Sequence, residues 1–119
     1  RLEWEPSIGT LSQVDSLRKL NLSSNQFSSL PDALTTLDQV QHLILMDNPG
    51  LQWGFALLKL KEMENLKILD LSGNNLYYLP EQIYSFTTLE KLILKDNPFL
   101  ADRLQLMKKE MPGLDIVTE

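Results

Sequence analysis

His42, Asp47, Asp70, Lys91 and Asp96 are the side chains whose types and spacing could do chemistry. Regularly placed carboxylates can hold a cation or share a proton, and a lone histidine beside Asp70 and Lys91 could move one. Each use fails on its partners. With no cysteine and one histidine there is no zinc cluster, disulfide framework or thiol nucleophile. No serine is singled out from the many at turn positions, so His42 has no convincing triad to join. The five glycines are scattered rather than gathered into a phosphate-cradling loop. Asp47 and Asp96 fall on alternate members of a stack, roughly 10 Å apart at about 4.8 Å per strand, which is loose for a shared metal. They read as turn formers. The expectation is a protein that is not an enzyme and carries no cofactor and no metal.

What positions these residues is a repeat. The stretch LRKLNLSSN (Leu17–Asn25) returns as VQHLILMDN (Val40–Asn48), LKILDLSGN (Leu66–Asn74) and LEKLILKDN (Leu89–Asn97), with an incomplete LDIVTE from Leu114 to Glu119. The steps are 23, 26, 23 and 25 residues, so short and long units alternate. A shift of 49 lays Leu17–Pro49 on Leu66–Pro98 without gaps, and 13 of the 33 positions are identical. The chain is an internal duplication. Residues 1–16 obey the same shift, Trp4 landing on Trp53. They read as the back half of a long unit, which predicts either an N-terminal cap or a longer array. The units are 17–39, 40–65, 66–88 and 89–113, closed by a last strand at 114–119, all in one domain.

Alternation in Leu20-Asn21-Leu22, repeated at Leu43/Leu45, Leu69/Leu71 and Leu92/Leu94, has the period of a short strand with one buried face. Leu114 aligned on Leu89 puts Val117 at the leucine position and sends Ile116 and Thr118 outward. Asn-Pro at Asn48 and Asn97 predicts turns followed by helices over about 52–64 and 100–110. In the second, Leu100, Leu104, Met107 and Met111 are spaced as one buried stripe. Pro31 and Pro80 suit the first turn of short helices in the other units. Leu11, Leu34, Leu60 and Ile83 predict one core column, and Val14, Leu37, Met63, Phe86 and Met111 another. Trp4 and Trp53 are expected on the convex side.

The pattern apolar-x-x-Leu-x-Leu-x-x-Asn over essentially the whole chain resembles the leucine-rich repeat family. Its short units resemble the 23-residue class of intracellular Ras-associated and bacterial proteins. The resemblance implies an α/β fold, a right-handed solenoid with about five short parallel strands on its concave face. Helices and 3-10 or extended segments would form the convex face. It also implies that Asn25, Asn48, Asn74 and Asn97 form a structural asparagine ladder, and that the family's function is to bind proteins as scaffold or regulator.

With the leucines inward, Lys19, Asn21, His42, Ile44, Met46, Ile68, Asp70, Lys91, Ile93 and Lys95 point outward as the expected partner-binding face. Its isoleucines and Met46 predict an apolar patch, and its three lysines against Asp70 oppose the chain's net charge of −5. The expected partner is a protein with acidic groups near an apolar anchor. The alternative is a spacer or capping slice of a longer array. An acidic chain with a pI near 4.8 lacks the basic surplus that nucleic acid or anionic membranes need, and no apolar run spans a bilayer. Cysteine-free composition favours a cytoplasmic setting. A bare strand edge at 114–119 invites end-to-end self-association or capping.

Overall fold

A computed structural model describes residues 18–30 and 32–119. Five three-residue strands form one parallel sheet: β1 (Lys19–Asn21), β2 (His42–Ile44), β3 (Ile68–Asp70), β4 (Lys91–Ile93) and β5 (Asp115–Val117). Each pairs with the next in chain order, as when every repeat stacks on the one before it. The expectations for residues 1–16, Trp4, Leu11, Val14 and Pro31 lie outside the described residues.

Side chains two apart on a strand share a face, and two leucine columns are buried for that reason. They are Leu20, Leu43, Leu69 and Leu92, then Leu22, Leu45, Leu71 and Leu94. Behind them Leu34, Leu60 and Ile83 are fully enclosed, and Leu37, Met63 and Phe86 complete the core. Met111 packs half-buried against it.

The last strand departs from the expected register. Leu92 pairs with Ile116, not Val117, and Lys91 and Ile93 pair with Asp115 and Val117. Ile116 therefore packs on the core, and Asp115 and Val117 face outward. A slip of one residue exchanges the two faces of a strand. The larger aliphatic group takes the inward place.

Convex segments alternate with repeat length. The short repeats carry 3-10 helices at Asp32–Thr36 and Glu81–Ser85, and the long ones carry α1 (Trp53–Leu60) and α2 (Ala101–Glu110). Helix α1 stops four residues short of the expected Glu64. After Lys61 N–H bonds to the Leu57 carbonyl, Glu62 and Met63 reach back only three residues, to Lys59 and Leu60, and the last turn tightens. Pro80 stands just before its helix, φ −59° and ψ 160°, and its carbonyl accepts the Ile83 N–H at 3.1 Å. Leu100 likewise precedes α2 with extended backbone. It consequently falls off the helical stripe and is exposed, leaving Met107 as the buried anchor.

The turn after each of β1 to β4 is left-handed at Ser24, Asp47, Gly73 and Asp96, with φ between 57° and 68°. Asp tolerates that conformation better than most residues, which accounts for Asp47 and Asp96 without a cation.

Candidate interaction surface

Strand register sets the outward face. Lys19, His42, Ile68, Lys91 and Asp115 form one row, and Asn21, Ile44, Asp70, Ile93 and Val117 the next. Two residues further on come Ser23, Met46, Ser72 and Lys95. All ten side chains expected there lie on this face, but they are not equally available. Ile44 is only 8 % exposed, Ile68 and Ile93 are half-buried, and Met46 is 38 % exposed. The apolar patch is shallower than the sequence suggests, because in register Asn21 and Asp70 flank Ile44 on both sides.

Asn21 and Asp70, equivalent under the 49-residue shift, do one local job. Each accepts the N–H of the serine two residues on, Ser23 or Ser72, at 3.0 Å, and that serine's hydroxyl as well. Such side-chain turns end a strand by offering its backbone an alternative partner. These two residues are thus partly committed to the fold.

His42 Nε2 is buried without a hydrogen-bond partner. Burial holds the imidazole's pKa below its ordinary value. Lys19 adds to the effect, Asp70 opposes it, and Lys91 adds a smaller push. No hydrogen bond ties His42 to Asp70 or Lys91, so these three do not form a proton relay. Lys91 instead approaches Asp115 at 3.9 Å, an exposed pair of small energetic weight. Among the described residues no group of three His, Cys, Asp or Glu side chains could hold a metal.

Behind the strand ends runs a ladder. The N–H groups of Asn25, Asn48 and Asn74 donate to Oδ1 of Asn48, Asn74 and Asn97 in turn. Each side-chain amide donates to its own turn and, from Asn48 onward, to a carbonyl of the preceding repeat: Asn48 to Leu22, Asn74 to Leu45, Asn97 to Leu71, all at 3.0 Å. Asn48 and Asn74 are buried, where unpaired backbone groups would be costly.

A family model for the leucine rich repeat matches residues 16–37 and 65–86. The two matches are themselves 49 residues apart and fall on the two short repeats. The chain is a leucine-rich repeat protein. Leucine-rich repeat domains generally mediate protein–protein interaction and are typically non-enzymatic. No curated protein matches the chain. Among the described residues no helix is long and apolar enough to cross a membrane.

A second exposed surface of this leucine-rich repeat protein does not follow from the repeat pattern. Phe55 is 71 % exposed, and Tyr77 and Tyr78 are 52 % and 50 % exposed. A signal for the tyrosines was present. Under the 49-residue shift they replace Ser28 and Ser29, which are also exposed, so packing does not demand the aromatic rings.

Proposed function

We propose that this leucine-rich repeat protein is a non-enzymatic interaction module that holds a protein partner on the outward face of its sheet. One observation carries the reading: the register gathers Lys19, Lys91 and Lys95 with Met46, Ile68 and Ile93 on one side of a continuous five-strand sheet. Lys19 and Lys95 beside a modest apolar patch, with Lys91 shared with Asp115 and with Asp70 the other carboxylate of these rows, suit a protein surface that offers acidic groups near an apolar anchor. Charge there favours fast, salt-sensitive encounter.

Met46 and Lys95 occupy equivalent, exposed positions in the two long repeats, so Met46→Glu/Lys95→Glu reverses the face without touching the core. Affinity capture with the wild type and this double variant, both checked by circular dichroism, tests the proposal. A protein retained by the wild type and lost by the variant supports it. Identical captures, or none, would assign the sheet to spacing within a longer array.

A further inference from the structure

We propose that Met46 is a site of reversible oxidation by peroxide, and that its sulfoxide weakens the partner contact proposed for the sheet's outward face. The weakening rests on that function; the oxidation rests on the structure of this chain alone.

The chain has four methionines, and the fold sorts them. Met63 and Met107 are 3 % and 2 % exposed in the core, and Met111 is half-buried against it, whereas Met46 is 38 % exposed. Its neighbours explain the difference. Ile44 pairs with Asn21 on one side and Asp70 on the other, so two residues further on Met46 lies between Ser23 and Ser72. Both serines are short, and their hydroxyls turn back onto Asn21 Oδ1 and Asp70 Oδ1. Neither covers the thioether. Peroxide must reach the sulfur to react, so exposure sets the order of attack.

The reaction balances with one molecule of hydrogen peroxide. A sulfur lone pair takes one oxygen, the O–O bond breaks, and the other oxygen leaves as water; sulfur loses two electrons and peroxide gains them. Two thiols of a methionine sulfoxide reductase remove the oxygen as water and become a disulfide. The fold accommodates the product. Ser23, Ser72 and Lys95 hold the same position in the other three repeats, so a polar side chain there is compatible with the stack. The Met46 carbonyl keeps its own partners, the Ser24 N–H at 2.9 Å and the Asn48 amide at 3.1 Å.

On the face the same oxygen is unfavourable. Met46 is the most exposed member of the apolar patch it shares with Ile44, Ile68 and Ile93. A sulfoxide oxygen only accepts hydrogen bonds, and the carboxylates of an acidic partner only accept them as well. Covered by such a partner, the oxygen gives up water and gains no donor from those carboxylates.

The test applies limited hydrogen peroxide to the full chain and follows the oxygen by peptide mapping with mass spectrometry. Uptake at Met46 should be at least tenfold faster than at Met63 and Met107, and ahead of Met111. The singly oxidised chain should keep its circular dichroism melting curve, and the reductase should remove the oxygen. Equal uptake at a core methionine, or a singly oxidised chain that melts lower, overturns the site. Affinity capture then compares the untreated chain, the oxidised chain and Met46→Leu, whose side chain stays apolar and takes no oxygen. The protein that the untreated chain retains and Met46→Glu/Lys95→Glu loses should be captured at least fivefold less by the oxidised chain. Met46→Leu should capture it equally before and after peroxide. Undiminished capture by the oxidised chain overturns the weakening. If the untreated chain retains no such protein, the function proposed for the face fails and the weakening with it, while the oxygen at Met46 is still counted by mass.

Discussion

His42 joins the fold to solution conditions through one buried nitrogen. Its environment favours the neutral ring, by burial first and then by Lys19, with Asp70 pulling the other way. Between the folded value and the ordinary value near 6.5, the unfolded chain binds more protons than the native one. Stability is therefore fully present above about pH 6.5 and is lost as pH falls through that window. Thermal unfolding from pH 7.5 to 5 should show a falling midpoint in the wild type and a flatter one in His42→Gln. Equal slopes would mean that other groups carry the pH dependence. A second residue-scale choice follows the ladder asparagines. Gln26 and Asn75 take φ of 58°, whereas the ring of Pro49 and Pro98 holds φ near −65°. This single position thus separates the repeats that continue into 3-10 helices from those that continue into α-helices.

At the scale of the element, β5 shows where periodicity stops being informative. Strand positions, inward leucines and the alternation of short and long repeats were legible because each recurs four times and the 49-residue shift checks it. Residues 114–119 do not reach a ladder position that would fix their phase, and Ile116 and Val117 are both good strand formers. Packing against Leu92 decides between them. The outward face was legible as a set of ten residues, but not in its relief: Ile44 is buried by cross-strand neighbours that the linear order does not display. The register has a direct consequence. Ile116→Asp places a carboxylate against the core and should cost about 2–3 kcal/mol, whereas Val117→Asp should stay within about 1 kcal/mol. Urea denaturation of the two variants reads the difference, and the reverse order would restore the register expected from Leu114.

Across the whole molecule, stability comes from contacts between neighbouring repeats, so the place of a defect matters as much as its size. Leu69 and Met107 are both buried, and truncating either to alanine should cost about 2–5 kcal/mol. Their reach should differ. Leu69 sits on β3 at the seam of the duplication, with Leu43 and Leu92 on either side in register. The ladder crosses the same seam where Asn48 bonds to Asn74. Loosening this layer uncouples one half of the duplication from the other. Met107 belongs to α2, between β4 and β5 in the chain. Hydrogen exchange resolves the two cases through amides that bridge successive repeats: Leu22 to Ile44, Leu45 to Asp70 and Leu94 to Val117. Leu69→Ala should lower protection at all three. Met107→Ala should expose Leu94 and leave Leu22 and Leu45 close to wild type. If Leu69→Ala opened only one side of the seam, the halves would be independent units rather than one cooperative stack, and a partner spanning the five strands would have to hold them together itself.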